Sequence, residues 1–142
     1  MDIKKFYKSL GIHLDLALEA TEALRGDVDR EIQGVSEKKE KHPNATVTTI
    51  KILNQTGQQL MDRPQGSYVT IEAPELKTNN QEIFQEISTI LANKLTELIA
   101  ELQLAPESSV LLVGLGNWNA IPDALGPKVV ESSLVTRHLF HY

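Results

Sequence analysis

An α/β fold with a parallel-sheet core is what this 142-residue sequence predicts, on three observations. Residues 110–113 (VLLV) are a continuous apolar run, the pattern of a strand buried on both faces. Residues 80–104 carry Ile83, Ile87, Ile90, Leu91, Leu95, Leu98 and Leu102 at helical spacing, a single apolar stripe suited to covering a sheet. Residues 46–53 and 68–72 alternate apolar or β-branched side chains with polar ones, as half-buried antiparallel strands do.

The elements follow in order. Residues 1–30 start polar and then alternate through Leu14, Leu16, Leu18 and Ala20, which fits a strand or a short helix. Residues 36–44 (SEKKEKHPN) are a charge run ending in a Pro-Asn turn and read as a solvated loop. The strand at 46–53 is followed by a turn at Gln55-Thr56-Gly57. A second turn at 63–66 leads into the strand at 68–72, which Pro74 ends. Thr78, Asn79 or Asn80 caps the long helix, and Pro106 lies beyond its end. After the strand at 110–115, Gly114 and Gly116 allow a sharp turn. A helix over 124–134 then carries Leu125, Val129, Val130 and Leu134 towards the sheet. Pro127 is tolerated in its first turn.

Composition bounds the class. The length suits one domain spanning residues 1–142, and 41% hydrophobic residues can fill a core. No apolar run approaches the roughly 20 residues of a membrane helix. The start, MDIKKFYKSL, is not a secretory signal, so a cytoplasmic protein is expected. A net charge of −5 argues against a surface for direct nucleic-acid binding. With no cysteine, there is neither a disulfide framework nor a thiol nucleophile.

The chemistry concentrates in residues 111–127, LLVGLGNWNAIPDALGP. Open α/β sheets place their sites at the C-terminal ends of strands, where Gly114, Gly116, Asn117 and Asp123 fall. A dinucleotide fingerprint needs a third glycine where Asn119 stands, and no Gly-Lys-Ser/Thr phosphate loop occurs. No cofactor is therefore expected. On the residues alone two readings stay open. One is a structural turn with Asp123 as a helix-entry residue favoured by the helix dipole. The other is a site with Asp123 as its acid.

The segments LDLALEA (14–20), DRPQGSYVTIE (62–72) and VGLGNWNAIPDALGPKVVESSLVTRHLF (113–140) resemble, in that order, the germination protease family of spore-forming bacteria. The resemblance implies a cytoplasmic endopeptidase of the spore core that degrades small acid-soluble spore proteins during germination. It implies a phosphorylase/hydrolase-like sheet, a homotetramer and a zymogen that trims its own N-terminus. Asp123 matches one catalytic Asp of an aspartic-type mechanism. The second catalytic Asp of the family lies in a later region that this sequence does not contain, so the chain is expected to be a truncated N-terminal part. In such a mechanism Asp123 deprotonates a water while the other carboxyl polarises the scissile carbonyl. Backbone donors near Gly114, Gly116 and Asn117 would stabilise the oxyanion. Self-trimming is placed at the Asp15–Leu16 bond, making residues 1–15 a propeptide, although His13-Leu14 stands where the family more often carries Arg-Thr.

Two alternatives come from other chemistry. The strand, Gly-x-Gly-Asn turn and acid also resemble, more distantly, the hydrogenase-maturation endopeptidases. In those the acid matching Asp123 helps bind nickel, with His138 and His141 as further candidate ligands here. A metal site is nevertheless not expected, because the four histidines are scattered. The other alternative is an inactive half-protease that holds an extended peptide along a sheet edge. An uncovered edge strand also argues for self-association.

Overall fold

Alternation along residues 46–52 sets the centre of the fold. β2 (Thr46–Ile52) is the middle strand of an antiparallel sheet, flanked by β1 (Val35–Lys41) and β3 (Gly66–Glu72). This computed structural model describes residues 14–25 and 31–134. The chain divides into two units, 1–103 and 104–142, and the sheet belongs to the first.

Because successive side chains of a strand point to opposite faces, β2 supplies two cores. Ile50 and Ile52 bury one face against Ala17, Leu18 and Ala20 of α1 (Ala17–Arg25) and Met61 of α2 (Gln55–Met61). Val47 buries the other face with Ala45 against Ile87 and Ile90 of α3 (Gln81–Glu101). Each of the Val, Leu, Ile and Met side chains contributes roughly 1.5–3 kcal/mol when fully buried. The alternating pattern thus marks a strand covered on both sides, not one with a wet face.

The first predicted element is resolved as a helix, α1, with Leu18 buried and Leu16 exposed. The helix predicted over 80–104 is α3, capped by Asn80, whose side chain accepts from the Glu82 and Ile83 N–H groups. A short 3-10 turn, Pro74–Thr78, joins β3 to it. The predicted apolar stripe meets the sheet mainly through its first half, with Leu98 half-buried beyond it. Continuing the line of Ile83, Ile87 and Ile90 at 3.6 residues per turn leads to Lys94, Glu97 and Glu101, whereas Leu91, Leu95 and Leu102 are exposed.

Two loop expectations are corrected. Residues 36–44 are not a solvated loop: residues 36–41 lie in β1, and the Pro43-Asn44 turn closes a hairpin in which the His42 N–H donates to the Ala45 carbonyl at 2.8 Å. An edge strand tolerates alternating charge and is protected from pairing with another chain by it. Here Glu37 meets Arg25 at 2.6 Å on one face, while Glu40 meets Lys94 at 2.7 Å on the other. Gln55-Thr56-Gly57 is not a turn but the start of α2. The Asn54 side chain caps it by accepting the Gly57 N–H at 3.0 Å.

Lys94 is only 8% exposed, yet it is fully paired. Its Nζ donates to Glu40 at 2.7 Å and to Glu97 at 2.9 Å. Two turns beyond Lys94 along α3, Glu101 accepts from Lys51 of β2 and from the Ser67 hydroxyl of β3. The hydrogen bond from Lys94, and then that from Lys38, holds the Glu40 carboxyl below the usual range of about 4.5. Those from Lys51 and Ser67 do the same for Glu101. Glu40 and then Glu97 hold Lys94 above its ordinary value of 10.5.

A depressed carboxylate contributes stability above its unfolded value and loses it as pH falls through the folded value. A raised lysine contributes fully below its unfolded value and loses stability as pH rises through the folded one. Urea midpoints should therefore be level between these limits and fall on acidification below pH 4.5. In Glu40→Gln the acid-side fall should be smaller; an unchanged fall would remove Glu40 from the account.

In the second unit the expected parallel strand is not formed. Residues 110–115 pair with no strand among the described residues, and Val110 and Leu111 are 73% and 86% exposed. A strand needs a ladder partner to satisfy its backbone groups, and every described pairing is antiparallel. The predicted second helix is present as α4 (Leu125–Ser132), shorter than 124–134 and with Leu125 and Val129 exposed.

Candidate active site

Two glycine-rich backbone segments cross in the second unit, and the crossing sets the position of Asp123. A Cβ at Gly114 would overlap the Gly126 carbonyl, and one at Gly126 would overlap the Leu115 carbonyl. At Gly116, with φ +141°, it would overlap the carbonyl of Asp123 itself. Contacts this close require residues without a side chain. Gly126 thus has a reason that local sequence does not reveal: it completes the fit begun by Gly114 and Gly116.

The loop between the crossing segments is closed by its own hydrogen bonds. The Asn117 N–H donates to the Asp123 carbonyl at 3.0 Å, and the Ala120 N–H to the Asn117 carbonyl at 3.1 Å. The Asp123 N–H donates to the Ala120 carbonyl at 2.8 Å. The Asn117 Oδ1 accepts the Asn119 N–H at 3.0 Å, a side-chain turn typical of asparagine. A 3-10 turn, Ile121–Asp123, starts with the fixed φ of Pro122 close behind and delivers the chain to α4. Ala124, buried, is the pivot between them. Pro127 falls in the first turn of α4, where its missing N–H leaves no bond unmade.

Asp123 is therefore held by its backbone, while its carboxylate is exposed and makes no hydrogen bond or ion pair among the described residues. It stands just before the N-terminus of α4, where a negative charge is favoured. Chemically this is a free carboxylate on a rigid turn, available to take a proton from a water. The Gly114 and Gly116 N–H groups make no backbone hydrogen bond among the described residues. The Asn117 N–H is engaged by Asp123, which leaves its side-chain Nδ2 as the available donor.

Asp15 and Leu16 lie in the first unit, exposed, just before α1. His138 and His141 lie outside the described residues. Among the described residues no three His, Asp or Glu side chains gather as a metal site requires, and no helix is long and apolar enough to cross a membrane. The buried Lys94 and its carboxylate partners were not singled out from sequence. The signal was there in the spacing of 94, 97 and 101 along the line of Ile83, Ile87 and Ile90.

Comparison with known proteins follows the same residues. The germination protease family model matches residues 13–142. The germination protease of Caldanaerobacter subterraneus subsp. tengcongensis is 47% identical over 133 residues, covering 94% of this chain and 39% of that protein. That of Clostridium perfringens is 45% identical over 129 residues, covering 90% and 39%. That of Bacillus subtilis is 38% identical over 132 residues, covering 91% and 36%. The chain spans about two fifths of the length of these curated relatives.

Proposed function

This chain belongs to the germination protease family, and we propose that it carries the Asp123 half of an aspartic-type endopeptidase that degrades small acid-soluble spore proteins. The observation that carries this reading is the free Asp123 carboxylate, held on a turn by the Gly114, Gly116 and Gly126 crossing. Asp123 takes a proton from the attacking water, whose oxygen bonds to the scissile carbonyl carbon. A second carboxyl group protonates the developing oxyanion and, after proton exchange, a proton goes to the leaving amine. That second group belongs to the length the relatives have beyond this match. The Gly114 and Gly116 N–H groups and the Asn117 Nδ2 are the donors for the oxyanion.

The rest of the reading is also a proposal. Residues 1–15 form a propeptide released by hydrolysis of Asp15–Leu16. In the longer protein, residues 110–115 enter a parallel sheet within one domain, and copies assemble into a tetramer in the spore core without contacting nucleic acid. Support comes from the apolar surface of Val110, Leu111 and Leu115, and from Leu91, Leu95 and Leu102 on α3, more than single scattered hydrophobes would expose.

The test is hydrolysis of a purified small acid-soluble spore protein by the 142-residue chain and by a longer chain containing it. Turnover is expected from the longer chain alone. Equal turnover by the shorter one would show that Asp123 finds its partner within these residues.

A further inference from the structure

We propose that Arg63 and Glu19 latch the first turn of α1 and so keep the Asp15–Leu16 bond from being cut. The inference rests on the reading of that bond as the processing site, and concerns what controls it.

A protease reads its substrate as an extended strand, using the backbone N–H and C=O groups around the scissile bond. Around Asp15–Leu16 four of these groups are taken. The Leu16 N–H, which belongs to the scissile amide itself, donates to Glu19 Oε2 at 3.2 Å. The Leu16 carbonyl accepts the Ala20 N–H at 3.2 Å, and the Ala17 carbonyl accepts the Thr21 hydroxyl at 2.9 Å. On the other side, Arg63 Nη2 donates to the Leu14 carbonyl at 2.5 Å.

The side chains tell the same story. Leu16 is 46% exposed, but Ala17 and Leu18, next after the bond, are 5% and 7% exposed and belong to the core with Ile50, Ile52 and Met61. A protease can touch the bond only if the first turn of α1 unwinds and lifts these two residues out. Glu19 is placed for its task by helical geometry, three residues after Leu16, the reach of a side chain bonding back to a helix start. Arg63 is placed by the end of α2, where Asp62 takes the left-handed conformation and the Arg63 N–H returns to the Gln58 carbonyl. The latch therefore ties residues 14–19 to a loop 44 or more positions away in sequence.

The experiment is limited proteolysis of the full 142-residue chain with an added glutamyl endopeptidase, in buffer that permits cutting after Asp. It asks about opening of the bond whether or not the protein processes itself, a question settled separately by N-terminal sequencing of the longer protein. Each rate is divided by that of the same bond in a short synthetic peptide. Glu107–Ser108, in an exposed turn outside any helix or strand, with its N–H donating to the Ala105 carbonyl at 2.9 Å, is the open reference. Glu86–Ile87, within α3, reports global unfolding.

Cutting at Asp15–Leu16 should be more than tenfold slower than at Glu107–Ser108. Arg63→Gln and Glu19→Ala should each speed it about tenfold, the change for losing one hydrogen bond to a charged group, because cutting follows the open population. Arg63→Lys should restore part of the protection. The proposal is overturned if the wild-type bond is cut as fast as the open reference. It is equally overturned if neither variant speeds cutting, or if Glu86–Ile87 speeds up in parallel. Should Arg63→Gln not fold, Glu19→Ala, at an exposed position, decides alone.

Discussion

If Asp123 is the general base proposed above, Asp123→Asn should lower kcat for small acid-soluble spore protein by about 10²–10⁴-fold, the usual share of a positioned general base, in a germination protease chain long enough to be active. Circular dichroism and thermal midpoint should scarcely move. The reason is the division of labour at this residue. Its N–H and carbonyl hold the turn through Ala120 and Asn117, and asparagine keeps both. Its carboxylate makes no bond among the described residues, so only the charge before α4 is lost, at about 0.3–1 kcal/mol. If Asp123 were merely a helix-entry residue, the result would invert: a small fall in stability and unchanged kcat. That inverted result would remove Asp123 from the mechanism.

The features legible in the sequence were those with a local cause. Alternation over 46–52, the apolar period from Ile83 to Ile90 and the cap at Asn80 each act within a few residues, and each has its structural counterpart. What was not legible depended on partners distant in sequence. β1 is charged on both faces because it is an edge strand, and Arg25 and Lys94 reach it from two different helices. No local pattern of Lys and Glu distinguishes this from a solvated loop. α2 has seven residues, one of them glycine, and only the Asn54 cap announces it. The run at 110–113 carries the opposite lesson: hydrophobicity signals that a segment suits burial, not which partner buries it. At the candidate site, Gly114, Gly116 and Asp123 stood out from spacing alone. The contact of Gly126 with Leu115 is a meeting of backbones that no side-chain pattern encodes.

Gly116→Ala should cost the second unit more than about 2 kcal/mol of local stability, from backbone strain and overlap together. Two effects combine there. The residue sits at φ +141°, a region L side chains rarely enter, and a Cβ would run into the Asp123 carbonyl. Gly66 separates them: its φ is +148°, yet a Cβ there meets nothing within 4 Å. Gly66→Ala therefore reports strain alone, about 1–3 kcal/mol, and the excess at Gly116 reports overlap. Hydrogen exchange is the suitable measurement, because it reads each unit separately. In Gly116→Ala the Asn117, Ala120 and Asp123 amides should lose protection, while those of Val47 and Ile50 in β2 keep theirs. The carbonyl displaced by the new methyl is the one that holds Asn117, so the turn cannot relax without moving Asp123. Unchanged protection at those three amides would mean that the crossing does not position the acid, and the geometric basis for assigning Asp123 its role would fall with it.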